Sequence, residues 1–200
     1  MDHRVYLEVG TKRVFAVSLD WPGWCRSGRS VDDALERLHL YAPRYSLVVA
    51  RDVTSMGVEI VGSVTGDATT NFGAPRARGP WDETPASAHD RQAKVGILQS
   101  CWNYFDQVVT RSPLELIKGP RGGGRTRDQV SDHVREAERA YGPQTGLRIA
   151  ARTPWPDQRS ALADRLVAGY SNEKWPVDFA VRVIAWHVLD HAWEIEGRIA

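Results

Sequence analysis

The segment PVDFAVRVIAWHVLDHAWEI, residues 176–195, reads as a helix opened near Pro176, with Ala180, Ile184, His187, His191 and Ile195 recurring on one face. Two positions where a core residue is expected are therefore histidines, stacked one turn apart. The same period extends upstream. Val95, Leu98, Trp102, Phe105 and Val109 follow 3-4-3-4 spacing. Thr126 caps a helix whose stripe runs Val130, His133, Ala137 and Tyr141, and Gly142-Pro143 stops it. Leu162, Leu166 and Tyr170 align a further helix over residues 156–170. Four helices within residues 88–200 pack most economically as an antiparallel bundle.

Toward the N-terminus the period changes from helical to two. Val5, Leu7 and Val9 alternate with Tyr6 and Glu8, and Phe15, Val17 and Leu19 alternate with their neighbours. Gly10-Thr11-Lys12 between them predicts a hairpin. Ser30 caps a short helix with Asp33 at the capping-box position, and Pro43 is expected to end it. Tyr45–Ala50 and Gly57–Val64 read as the next strands, giving the order β-β-α-β-β over residues 1–65. Residues 66–87, rich in Gly, Pro and Thr, read as a linker or a strapped loop. The expected architecture is α+β: the small N-terminal unit, the linker, and the helices of residues 88–200. About 65 residues is close to the size at which a core is marginal, so the first unit is expected to dock on the helices.

Composition excludes several classes. Of the 200 residues 26% are charged, and counting Gly while leaving out Tyr brings the apolar share to about 47%, as in globular chains. No run of 18 apolar residues occurs, so no membrane helix and no membrane partner are expected. Met1–Gly10 lacks the apolar core of a signal peptide. Lys plus Arg is 26 against 25 acids, a net charge of +1, which argues against nucleic acid as a partner. Cys25 and Cys101 form no CxxC and suit a reduced, cytoplasmic chain.

His133, His187 and His191 carry the strongest chemical signal. Imidazoles inside a helical bundle can converge on one point, and three neutral nitrogens suit Zn²⁺, Ni²⁺ or Fe²⁺ with a coordination position left open. Spacing alone leaves a structural alternative, with the pair bonded to Asp190 and Glu194. HExxH is absent, since the residues are His187-Val188-Leu189-Asp190-His191. Glu194, three residues after His191, is the catalytic candidate, as a partner behind the metal ligands or a proton acceptor for metal-bound water; the other reading pairs it with Arg198 at i+4.

The helical pattern, with His133 in His-Val-Arg-Glu-Ala-Glu-Arg-Ala-Tyr and the pair in Trp-His-Val-Leu-Asp-His-Ala-Trp-Glu, resembles the DinB/YfiT-like superfamily over about residues 88–200. That resemblance implies a four-helix bundle with His133, His187 and His191 as ligands of a divalent transition metal, zinc foremost. It implies hydrolase or thiol-dependent transferase and isomerase activities, the latter with a low-molecular-weight thiol. A non-catalytic ligand- or protein-binding module is the alternative.

Two other stretches stand out. Lys118-Gly119-Pro120-Arg121-Gly122-Gly123-Gly124-Arg125-Thr126, ahead of a helix, describes an anion cradle, with Lys118, Arg121 and Arg125 as candidates for holding an anionic small-molecule substrate. It imitates a P-loop but has Arg in place of the Lys and no strand before it. The N-terminal run Val14–Cys25 with Pro22-Gly23, then Gly28, Ser30 and Ala34, resembles HicB antitoxin domains over about residues 4–50. It departs in context, because helices follow where those proteins carry a DNA-binding motif. The resemblance therefore implies a shared fold and not an antitoxin. A homodimer is the assembly left open.

Overall fold

Alternating apolar residues pair first with their nearest neighbours in sequence, and the sheet starts there. A computed structural model describes residues 2–119, 124–171 and 173–199. β1 (His3–Val9) and β2 (Val14–Ser18) form the antiparallel hairpin, with Val5 opposite Ser18 and Val9 opposite Val14. β3 (Cys25–Gly28) pairs with the other edge of β2, and β4 (Val58–Thr65) lies parallel to β1. The mixed sheet has the order β3-β2-β1-β4.

Two expectations for this region are corrected. Cys25–Gly28 is a strand, and Tyr45–Ala50, read as a strand, belongs to a helix apart from its last residue. The order is β-β-β-α-α-β, with α1 (Val31–Leu40) and α2 (Ala42–Val49) consecutive. Ser30 caps α1 as expected, accepting the Asp33 N–H at 3.2 Å. Pro43 sits in the first turn of α2, where its missing N–H leaves no helical bond unmade. Ala42, Tyr45 and Val48 recur at helical spacing and are all buried. The Val48-Val49 pair had suggested a strand, but burial of this face against the core overrides β propensity. Tyr45 stacks on Trp24 at 5.3 Å and donates its hydroxyl to the Pro22 carbonyl at 2.8 Å.

Residues 66–86 form a strap held at several points. α3 (Ala68–Phe72) is capped by Asp67, and one 3-10 turn covers Pro80–Asp82. The buried Glu8 carboxylate on β1 accepts the Thr70 hydroxyl and the backbone N–H groups of Arg76 (3.1 Å) and Ala77 (2.9 Å). A buried carboxylate requires such partners, so these bonds pin the strap to the sheet.

Four longer helices follow: α4 (Ala88–Arg111), α5 (Arg127–Tyr141), α6 (Trp155–Ala168) and α7 (Val177–Glu196). α7 packs along α4 and against α5, and α6 packs on α4 and α5. From Val177 to Leu189 every residue of α7 except Asp178 is buried. A helix apolar around its whole circumference needs partners on all sides. The sheet supplies one of them, through Phe15 edge-on to Trp186 at 6.3 Å and Arg26 paired to Asp190 at 3.3 Å. The main apolar core runs from Val5 on β1 to Ile195 on α7, and a second, smaller cluster gathers Tyr6, Phe15, Val17, Leu19 and Cys25 around Trp186.

The Pro22-Gly23 turn is wedged into that core. Gly23 has φ of +91°, and a Cβ there would lie 2.8 Å from Leu189 Cδ1, so conformation and space both demand glycine. Among the described residues, no helix is long and apolar enough to cross a membrane, and Cys25 and Cys101 are buried free thiols.

Candidate metal centre

α7 brings His187 and His191 to one face, and α5 brings His133 against them. The sequence stripe placed His133 inward; the buried residues of α5 are instead Val130, Val134, Glu138 and Tyr141. His133 stands at the solvent edge of that stripe, because Val134 takes the inward position one residue on. Its ring still reaches the pair. Ring centroids lie 5.2 Å apart for His133 and His187, 4.8 Å for His133 and His191, and 4.6 Å for His187 and His191. One nitrogen from each ring falls within 4.8 Å of the others.

The closest approach is His133 Nε2 to His187 Nε2 at 3.3 Å. Tetrahedral ligands with bonds of about 2.0–2.1 Å lie about 3.3–3.4 Å from each other, so this pair already has the spacing of two ligands of one zinc-sized ion. Burial, followed by the neighbouring His191 and His133 rings, holds His187 well below the ordinary imidazole value. Burial and the adjacent His191 lower His133 as well. Both rings are then neutral at pH 7, with lone pairs available for coordination.

Glu194 orients the third ring. Its carboxylate Oε2 lies 2.7 Å from His191 Nδ1. A proton on Nδ1 leaves the lone pair on Nε2, the arrangement in which a carboxylate directs a histidine toward a metal. Glu194 also accepts from Arg198 Nη1 at 3.0 Å and Arg125 Nη2 at 3.3 Å. The hydrogen bond to His191 and these two cations pull Glu194 down to about 2. Glu194 thus contacts both His191 and Arg198. His187 Nδ1, by contrast, is buried without a partner among the described residues, and that ring packs against Tyr141 (5.7 Å) and Trp186 (6.1 Å).

Of the proposed anion cradle, Arg125 lies at the centre through Glu194, Lys118 is exposed, and Arg121 lies outside the described residues. Sequence reasoning missed Arg76. The strap carries it to Tyr141, whose hydroxyl accepts its Nη2 at 2.8 Å, and its charge reaches His187. No spacing rule links residue 76 to residue 187, so only the strap's path shows this. Elsewhere, a groove of about 580 Å³ is lined by Trp102 and Trp155, with Arg159 paired to Asp106 (2.8 Å) and Glu138 (3.1 Å). There one guanidinium faces two carboxylates, and Asp164 lines the same groove. Comparison with protein families, with curated proteins and with solved structures returned no match.

Proposed function

We propose that this chain is a metal-dependent enzyme of the DinB/YfiT-like type, with α4–α7 as its four-helix bundle and His133, His187 and His191 as ligands of one divalent transition metal. The observation that carries this reading is the convergence of three imidazoles from two helices on one point. The donor set fits: three imidazole nitrogens, with Glu194 behind the third. Such a set suits zinc first and Ni²⁺ or Fe²⁺ next.

A metal held there supplies a Lewis acid for hydrolysis, or a soft partner for a low-molecular-weight thiol in transfer or isomerisation. The chain's own residues do the rest. Glu194 fixes the tautomer and direction of His191. With its carboxyl at about 2, it is a weak base at neutral pH and acts as a positioning residue. Arg76 and Arg125 put positive charge beside the rings, which favours a small anionic substrate. Tyr141 and Trp186 wall the buried side of His187 and keep water from it. The HicB-like N-terminal unit serves as scaffold, its Pro22-Gly23 turn buttressing α7.

A non-catalytic binding module with core histidines is the second reading. The 3.3 Å His133–His187 contact favours it, because a hydrogen bond between the rings gives the same spacing. Elemental analysis of untagged protein purified without chelator separates the two. The expected result is about one equivalent of metal in the parent and none in His133→Ala or His187→Ala. Parent protein that stays metal-free and whose melting does not change on adding Zn²⁺ would establish the second reading.

A further inference from the structure

The two arginines whose charge acts on the histidine rings are not equivalent. Arg125 acts on His133 and His187, but its Nη2 bonds Glu194 at 3.3 Å, so a carboxylate already shares its charge. Arg76 acts on His187 and has no carboxylate within ion-pair distance among the described residues. Its exposed side chain is nevertheless held in place. Nη2 donates to the Tyr141 hydroxyl at 2.8 Å, and the guanidinium lies over the rings of Tyr141 (5.1 Å) and Trp175 (5.7 Å). Its main chain is fixed too, because the buried Glu8 accepts the N–H groups of Arg76 and Ala77. Tyr141 in turn stands edge-on to His187 at 5.7 Å, so one aromatic ring separates this cation from the centre.

We propose that Arg76 anchors a carboxylate of the substrate, so that the site takes a small carboxylic acid whose other end carries the group that meets the metal. This rests on the metal reading above and names the substrate class within it. Arg125 of the Gly/Arg loop is a poorer anchor, since Glu194 competes for it. A guanidinium has five N–H donors in a planar fork, and Tyr141 takes one of those of Arg76. Those that remain suit the paired oxygens of a carboxylate. The charge balance selects the same group. Arg76 offers one positive charge without a counter-charge, which a carboxylate cancels, whereas a phosphate monoester brings about −1.5 to −2 at neutral pH. The flanking Tyr141 and Trp175 are buried apolar rings, which lower the local dielectric and strengthen such a pair. Tyr141 acts through Arg76 and is a positioning residue.

The test loads the full-length protein with Co²⁺, whose visible absorption reports a bound ion and its ligands. The monohydroxamates of malonic, succinic and glutaric acid are titrated beside their methyl esters, with the hydroxamate on the metal and the other end probing Arg76. At least one free acid is expected to bind about tenfold more tightly than its ester. Arg76→Met is expected to abolish that preference while the ester binds as in the parent, and Arg76→Lys to keep part of it. Tyr141→Phe keeps the ring, releases the guanidinium and is expected to reduce the preference. Equal binding of acid and ester by the parent would overturn the proposal. So would a preference that survives Arg76→Met and falls in Arg125→Met, which would return the anchor to the loop. Tighter binding of a phosphonate in place of the carboxylate would overturn the choice of group. A parent that shows no Co²⁺ bands defeats the metal reading, and this proposal with it, before any hydroxamate is added. The two failures are thereby told apart.

Discussion

In the N-terminal half of α7, Arg182 meets Asp82 and Asp178 meets Lys94, whereas in the C-terminal half His187 and His191 meet a third imidazole and one carboxylate. The first arrangement cancels charge with charge. The second gathers three groups of one kind, all able to donate a lone pair, with no counter-group at their focus. Buried polar side chains that only stabilise a fold find opposites. A convergence of like donors is stable chiefly when something shared sits between them. The same helix therefore sets a charge-paired cluster at one end against a cluster of like donors at the other.

Breaking the paired end should have the largest effect. Asp82→Ala leaves the Arg182 guanidinium buried without its partner and is expected to cost about 3–5 kcal/mol, read from urea denaturation. Asp82→Ala with Arg182→Leu should recover much of that loss, since no charge is then stranded. A single-variant cost near zero would mean that the pair is not buried as described.

At the histidine end, stability should respond less and metal more. Glu194→Gln keeps the shape but removes the charge that orients His191, and metal affinity is expected to fall about 10–100-fold. Competition with a chromogenic chelator measures it. An unchanged affinity would demote Glu194 to a surface partner of Arg198 and Arg125.

The turn beneath this half tests whether the sheet truly buttresses it. Gly23→Ala forces a side chain into φ of +91° and toward Leu189, at an expected cost of about 1–3 kcal/mol by thermal or urea melting. A neutral substitution would show that the turn and α7 move apart easily.

The smallest effect concerns a histidine outside both networks. His3 stacks on Trp24 at 4.3 Å, its Nδ1 lies 2.9 Å from Ser18 Oγ, and its Nε2 is buried without a partner among the described residues. Burial lowers it below the ordinary value of 6.5, against the smaller pull of Asp20 and Asp2. The unfolded chain therefore takes up the proton first, and stability is lost as pH falls below about 6.5 toward the lower folded value. His3→Phe keeps the stack and should make the decline between neutral and mildly acid pH shallower than in the parent. Parallel stability curves for the two proteins would rule this out.

Helical spacing was the most legible part of this chain. The four long helices, the β1–β2 hairpin and the Ser30 cap can all be read from residues within one or two turns of each other, because they depend on local period and capping. α2 was not legible as a helix, since Tyr45–Ala50 is apolar in nearly every position and carries no period of its own until the core it faces is known. The His187–His191 pair is fixed by its i, i+4 spacing. That His133 reaches it from the edge of α5 depends on how α5 is rotated against α7, which side-chain packing sets.

Residue order thus specified the four long helices, the β1–β2 hairpin, the Ser30 cap and the identity of the three imidazoles. Packing alone brought Arg76 to the histidines, Arg182 to Asp82, and the Pro22-Gly23 turn to α7. Those contacts join residues 100 or more apart, or lie on a strap with no period. Their geometry follows from which faces the long helix must bury, and no local rule encodes that.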